Sequence, residues 1–506
     1  MKNSIVACLL ISILLVSIGA CKKNFFDATT QDGSISDATA YKVKADFDAG
    51  VIGAYVPLQT AFDNWMKLPG FISNDVTNGE GNAVGFDRLF DNSYSVTTDY
   101  WRSLYKIVSN TNIVIQKLDD VGAGVLTDEQ KALAYGQVKF LRGFAYLALT
   151  QAFGDVPMPL KSYSSTQNNM SCATQDEVLN QVIADLNVAS QNLPEAKEWV
   201  AADIGRVGKG AAYAYLSLAY MYKKDWDNAK IATEKLLLLT KPAYKLLPSV
   251  RTVFSSRNRN LDESVFEIQF NPGSSDKWIA WGSNDPAPSN GHTIATQTAP
   301  PGIGESWCAF GGWGNWCISP KALASFEPGD DRRKELIVKY PESYKGELMS
   351  DSFNLAGWDG GATAFPANKK MFGYSTKYWF GVTRLPAGDN IIVMRFPEVL
   401  LNYAEILFNK NQAAAAYQQI NLVRTRARLP IKTTSSDSEK FMTDLMNERR
   451  HEMMLEANLW WHYTRTGRAV KFLKEEYNID MLPKWSHLPT PSRERDVNPS
   501  LCTNGY

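Results

Sequence analysis

Apolar side chains recur every three to four residues through much of the first half of the chain. Trp101, Leu104, Tyr105, Val108, Ile115 and Leu118 fall on one face of a helix. Leu133, Phe140, Leu141, Phe144, Leu147 and Ala148 repeat that spacing until Phe153-Gly-Asp-Val-Pro157 breaks it with glycine and proline. Asp176-Glu177 opens the next segment with acid in its first turn, ahead of Val178, Ile183, Leu186 and Leu193. Two helices then share residues 205–239. Ala211, Ala212, Tyr215, Leu218, Ala219 and Tyr222 make the face of one, and Trp226, Ala229, Ala232, Leu236 and Leu239 the face of the other. A second pair lies at Val399 to Arg426, where Tyr403-Ala-Glu405 runs through Asn409-Lys-Asn411 into Ala413 to Val423. The pattern predicts an all-α scaffold. Trp101, Trp226, Trp460 and Trp461 sit on its helical periods and are expected in the core.

Small residues at facing positions let the two helices flanking Lys223–Asp225 approach closely. Helix hairpins of this kind resemble tetratricopeptide units, although here they do not follow one another at a 34-residue period. Long insertions separate them. The largest, 271–381, loses the helical period and collects Gly, Pro, Ser and Asn. Seven tryptophans fall in it, Trp278, Trp281, Trp307, Trp313, Trp316, Trp358 and Trp379. Disordered chains are poor in aromatics, so this is expected to be an ordered, irregular loop region on a rigid scaffold, the usual arrangement of a binding site.

The first residues are of another kind. An apolar run from Ile5 to Ile18 follows Lys2 and ends on Ser17-Ile-Gly-Ala-Cys21. A basic start, a short apolar stretch and small residues before a cleavage point make residues 1–20 a secretory signal peptide. Closing it on Gly-Ala-Cys resembles a bacterial lipoprotein lipobox, which implies diacylglycerol on Cys21, cleavage before it and acylation of the new N-terminus. Several acyl chains anchor a protein to a membrane without spanning it. Lysine plus arginine equals aspartate plus glutamate, 53 each, so no net field draws the chain to nucleic acid. Cys172, Cys308, Cys317 and Cys502 are free to pair in an oxidising compartment but too sparse for a disulfide framework. Cys308 with Cys317, which bracket a short Gly/Trp loop, is the first candidate pair.

Motifs for catalysis or cofactors fail on inspection. His451-Glu452 has leucine at 455 where a zinc-binding HExxH needs its second histidine. The Gly-Lys-Gly of 208–210 lacks the Ser or Thr and the earlier glycine of a phosphate-binding loop. With only four histidines a histidine-built metal centre is disfavoured, and no cofactor is expected. Glu448 and Glu452 lie four apart on one helical face, with Arg449 seven before Glu456. That spacing reads as a structural ion-pair network rather than a catalytic pair.

Several blocks carry a family resemblance, in the expected order. They are Lys139-Phe-Leu-Arg-Gly-Phe-Ala-Tyr146 through Pro157, Gly205-Arg-Val-Gly-Lys-Gly-Ala-Ala212, and Arg395-Phe-Pro-Glu-Val-Leu-Leu-Asn-Tyr-Ala-Glu405 with Ile420 to Pro430. Asn447-Glu-Arg-Arg-His-Glu452 with Glu456 and Trp460-Trp461, and Leu488-Pro-Thr-Pro491 with Asp496-Val-Asn-Pro499 and Asn504-Gly-Tyr506, complete the set. Together they resemble the SusD/RagB nutrient-binding outer-membrane lipoproteins of Bacteroidota. Cys172 departs from the pattern, standing where an arginine is usual.

The resemblance implies a helical fold of four tetratricopeptide-like units with irregular loops holding the ligand. It divides the chain into a signal peptide (1–20), an N-terminal region (21–240) and a C-terminal region (241–506) that form one unit. It also implies a surface-exposed, lipid-anchored, non-enzymatic protein of the outer membrane. The expected ligand is an oligosaccharide or polysaccharide, or else a peptide, delivered to a SusC-type TonB-dependent transporter. A secreted all-α glycosidase or lyase is the enzymatic alternative. Flat aromatics cover the C–H face of a sugar ring while polar neighbours meet its hydroxyls. Trp278, Trp281, Trp307, Trp313 and Trp316 are therefore the first candidate contacts. Asp75, Asn78, Asn82, Phe86, Arg88 and Tyr94 are the second, in a loop where related proteins place ligand contacts.

Overall fold

The computed structural model describes residues 40–77, 90–162, 170–254, 258–270, 294–300, 312, 314–340, 342–344, 347–348, 371–378, 389–456 and 458–506. Statements about the structure refer to these residues. Eight long helices make the scaffold: α1 (Lys44–Ile72), α2 (Ser95–Asp119), α3 (Asp128–Phe153), α4 (Gln175–Asn192), α5 (Lys209–Tyr222), α6 (Trp226–Leu237), α7 (Phe396–Asn409) and α8 (Ala413–Arg426). Each packs on its chain neighbour within the pairs α1–α2, α3–α4, α5–α6 and α7–α8. α9 (Ser438–Glu452), α10 (Leu459–Arg465) and α11 (Ala469–Tyr477) complete the C-terminal part. The scaffold is mostly helical, as the sequence pattern predicts.

Local chemistry sets the helix ends. Thr127 and Thr174 each form a reciprocal capping box, with Gln130 and Glu177, at the starts of α3 and α4. α3 stops at Gly154, whose φ of 72° a side chain would resist. Asp225 caps α6 by accepting from the Asn228 amide, one residue after Lys224 turns the chain at φ 56°. Between α5 and α6 the alanines Ala211, Ala212, Ala219, Ala229 and Ala232 are buried. Ser217 Oγ also meets Thr233 Oγ1 at 2.7 Å across that interface. The tryptophans placed on helical periods behave accordingly: Trp101, Trp460 and Trp461 are buried, and Trp226 packs half-buried on the core. One apolar cluster runs from Ala54 on α1 to Leu488 near the C-terminus.

Strands occur where the sequence shows no alternation. β4 (Ser264–Ile268) pairs antiparallel with β10 (Ile391–Arg395), delivering the chain straight into α7. β2 (Val156–Pro157) pairs with β3 (Cys172–Ala173), and β7 (Ser343–Tyr344) with β8 (Glu347–Leu348). The insertion 271–381 is therefore not wholly irregular. Its described residues include β5 (Cys317–Ile318), β6 (Ile337–Lys339) and β9 (Gly373–Ser375), and the short helices Pro320–Ala324 and Asp331–Leu336. With β1 (Val76–Thr77) these strands build one antiparallel sheet in the order β1-β5-β9-β6.

The cysteines correct the expected pairing. The disulfide joins Cys172 on β3 to Cys502, across 330 residues of sequence. Cys317 keeps its thiol, buried in β5, with Sγ donating to the Gly314 carbonyl at 3.0 Å. Cys308 lies outside the described residues. Short separation made Cys308 and Cys317 look adjacent, yet the fold brings the C-terminal segment back onto the β2–β3 ladder. There the Cys502 amide also donates to Cys172 Sγ at 3.1 Å.

Candidate ligand-binding site

The register of the small sheet fixes where the loop region is held. Thr77 pairs with Cys317 and Val76 with Ile318, so the chain leaves β1 toward 78 at the same end where it enters β5 from 316. Ile318 pairs with Gly373 in the antiparallel β5–β9 contact. The chain therefore also leaves β9 at that end, through Thr376, Lys377 and Tyr378 toward 379. The departure points of 78–89, 301–313 and 379–388 thus share one end of one sheet, and these stretches contain Asn78, Asn82, Phe86, Arg88, Trp307, Trp313 and Trp379.

The base of 301–313 is pinched shut. Gly314 N donates to Ala299 O at 2.9 Å, and Asn315 N and Trp316 N both donate to Gln297 O, at 3.0 and 2.8 Å. Asn315 Nδ2 adds a bond to Gln297 Oε1 at 2.9 Å. Gly312 completes the pinch, because a Cβ there would stand 2.0 Å from the Pro300 carbonyl oxygen. Only glycine fits so close an approach of two backbones.

A buried charge network holds the sheet from beneath. Arg450 on α9 grips the Asp75 carboxylate through Nε and Nη2 at 2.7–3.1 Å, and Tyr477 donates to the same carboxylate at 2.6 Å. The Asp75 carbonyl then accepts from Ser319 N at 2.8 Å, tying β1 to β5. On the β9 side, Lys377 bonds the Glu456 carboxylate and donates to the Glu452 carbonyl. Burial pulls the Lys377 ammonium down to about 8 while Glu456 pushes it back up. Burial alone would raise Glu452, yet Arg426, Arg395 and Arg332 hold its carboxyl well below the ordinary range. Arg332 reaches Asp330, Glu448 and Glu452 at 2.6–3.1 Å, and Arg424 reaches Glu327 and Glu448 at 2.7–3.0 Å. The structural reading of the Asn447–Glu456 charges agrees with this arrangement, since their carboxylates are occupied by guanidinium groups. His451 is buried against Phe326 with Nε2 3.1 Å from Ser325 Oγ, and burial lowers it to about 3.

Two of the described candidates for ligand contact are buried in the framework. Trp316 is 4% exposed and belongs to the core. Asp75 is 1% exposed, its carboxylate committed to Arg450 and Tyr477. Tyr94 is half-buried against the core just before α2. Asp75 and Trp316 thus hold the ends of the stretches that follow and precede them. Trp278, Trp281, Trp307, Trp313, Asn78, Asn82, Phe86 and Arg88 lie outside the described residues, as does Cys21. Sequence reasoning did not pick out Lys377 or the Phe90–Trp485 stack, centroids 5.5 Å apart, where the chain re-enters after 78–89. Neither stands on a periodic face.

Two family models match the chain in tandem. One, described as the SusD family, covers residues 262–500. The other, described as "Starch-binding associating with outer membrane", covers 55–221. The chain belongs to the SusD/RagB family. Among relatives of this SusD-type chain, a SusD-like protein of Formosa agariphila is 24% identical, with 93% of this chain and 94% of the relative aligned. A SusD-like protein of Bacteroides ovatus is 23% identical over 90% of this chain and 81% of its own. Two solved structures share the fold at a TM-score of 0.74, each covering 92% of this chain and 100% of its own. One is a laminarin binding SusD-like protein at 22% identity, the other the surface glycan-binding protein A of Bacteroides thetaiotaomicron in complex with laminarihexaose at 23%.

Proposed function

We propose that this SusD-type protein is a lipid-anchored, non-enzymatic binder of oligosaccharide or polysaccharide that delivers its ligand to a SusC-type TonB-dependent transporter. The observation that carries the reading is the common sheet end from which 78–89, 301–313 and 379–388 depart. It gathers the strand ends of three aromatic-bearing stretches, the first of them also carrying Asn78 and Asn82, over a rigid charge network. That is the requirement for a preorganised site built on loops. The neighbours that bind laminarin and laminarihexaose favour a glycan over a peptide. In this reading the loop tryptophans stack on pyranose faces and the neighbouring amides and Arg88 fix register. Affinity stays modest, so that the ligand can be passed on.

The Cys172–Cys502 disulfide supports a location outside the reducing cytoplasm. So does the family description of association with the outer membrane. Among the described residues no helix is long and apolar enough to cross a membrane, which leaves Cys21 as the proposed anchor. Residues 21–240 and 241–506 are taken to act as one unit, since one apolar cluster draws on both.

Affinity electrophoresis of residues 22–506 against a polysaccharide panel that includes laminarin tests ligand class. Retardation by one neutral glycan, without release of reducing ends, is the expected result. Released reducing ends would move the reading to a glycosidase, and retention of peptides alone would move it to a peptide-binding lid.

A further inference from the structure

A groove lies among α4, α5 and α6, and none of its lining residues belongs to the sheet. It encloses about 320 Å³, and its lining includes Asn187 and Gln191 of α4, Lys209, Tyr213 and Tyr220 of α5, and Lys235 of α6. Leu216 and Ala232 form its buried floor.

Its charge is one-sided. No aspartate or glutamate lines it, while two lysines do. Most lysines of this protein that approach an acid form ion pairs, as Lys223 does with Asp176 and Lys230 with Glu234 on the same helices. Lys209 and Lys235 form none among the described residues. The contact Lys235 makes is with the face of Tyr213, 5.9 Å from the ring centroid. The side-chain amides of Asn187 and Gln191 and the hydroxyls of Tyr213 and Tyr220 likewise make no hydrogen bond to the described residues. Six polar side chains from three helices thus line one concavity without bonding to the described protein. The charged groups among its lining are both cationic, although Glu198 lies within the electrostatic reach of Lys209.

The spacing narrows the ligand. Tyr213 and Tyr220 are seven residues apart on α5, about 10 Å along the axis at 1.5 Å per residue. That is the reach of a disaccharide, and the Asn187 and Gln191 amides of α4 line the same groove. We propose that this groove is a second ligand site that takes an acidic oligosaccharide, a uronic-acid chain, with Lys209 and Lys235 meeting its carboxylates and Tyr213 and Tyr220 its rings. Its lining shares no residue with the sheet or the stretches 78–89, 301–313 and 379–388, so the proposal does not depend on what those stretches bind.

The test uses the mature chain, residues 22–506, titrated calorimetrically with oligogalacturonate, with the same oligomer after methyl esterification, and with poly-glutamate of equal charge. Oligogalacturonate is expected to bind, and the neutral ester at least tenfold more weakly. The double variant Lys209→Gln/Lys235→Gln should lose at least tenfold in affinity with the melting temperature unchanged. Tyr220→Ala should lose at least tenfold in affinity while remaining folded, its melting temperature lowered because the ring packs partly on the core. Binding should weaken as salt rises. The proposal fails if oligogalacturonate binds no better than its ester, or if the lysine variant binds as well as the parent. It also fails if poly-glutamate binds equally well and Tyr220→Ala changes nothing, which would make the groove a basic surface for acidic peptides. A variant that melts early is replaced by Lys235→Gln alone, a change at an exposed side chain.

Discussion

At the scale of single residues, the decisive contacts are between groups far apart in sequence. Arg450 is buried, and its guanidinium is met by Asp75, 375 residues away, with Tyr477 and Glu476 beside it. Asp75→Ala removes the central counter-charge and leaves the cation buried. Breaking a buried pair this way costs roughly 3–5 kcal/mol, and because Glu476 remains the loss should fall at the low end. A chemical denaturation curve measures it, and a change near zero would mean the pair is not formed. Asp75 reads as a ligand contact from sequence because it stands beside an asparagine-rich loop. Nothing local announces its arginine.

His451 gives a pH prediction at the same scale. Burial holds the folded ring at about 3, below the ordinary value of 6.5. Its contribution is therefore complete above pH 6.5 and lost as pH falls toward 3, because the unfolded chain takes up the proton first. Between pH 7 and 4.5 that amounts to about 2–3 kcal/mol. His451→Gln should show a correspondingly shallower loss of stability over this interval. Equal slopes in the two proteins would contradict a buried neutral ring.

At the scale of elements, most helices were legible, although the sequence pattern did not mark α1, and the strands were not. α3 and α4 announce themselves by period and by Thr-x-x-Gln and Thr-x-x-Glu caps. β1, β5 and β9 have two or three residues each, fewer than alternation needs to show. Only pairing across the fold defines them. The loop clasp makes a prediction here. Gly312→Ala sets a methyl group against the Pro300 carbonyl, so the base of 301–313 must open. Glycan retention should fall strongly while the melting temperature moves by no more than a few degrees, and retention equal to the parent would contradict the clasp. The disulfide belongs to this scale too. Cys172→Ser/Cys502→Ser should lower stability by about 2–5 kcal/mol and expose the segment after Leu488 to limited proteolysis. Resistance equal to that of the parent would show that packing alone holds the C-terminus. Sequence proximity favoured Cys308 with Cys317, whereas the pairing that forms depends on where the last residues return.

At the scale of the whole molecule, the charge network and the apolar core do different work. The core gathers helices from both regions of the chain. The arginines of 332–450 then tie the insertion to α7, α8 and α9, joining Glu263, Glu327, Glu448, Glu452 and Glu456. Family blocks made the architecture and the acid–base pattern readable in advance, because they coincide with these structural demands. The site was readable only as a region. An aromatic in an irregular stretch can face a ligand or fill the core beneath it, and Trp316 does the latter while lying three residues from Trp313.

That distinction supplies the most direct test. Affinity electrophoresis and thermal melting would be run together on residues 22–506, with Trp307→Ala, Trp313→Ala and Trp316→Ala. One polysaccharide should retard the parent, Trp307→Ala or Trp313→Ala should abolish retardation without lowering the melting temperature, and Trp316→Ala should destabilise by about 3–5 kcal/mol. Retardation by no polysaccharide, or retardation untouched by both loop variants, would contradict a glycan site held at this end of the sheet.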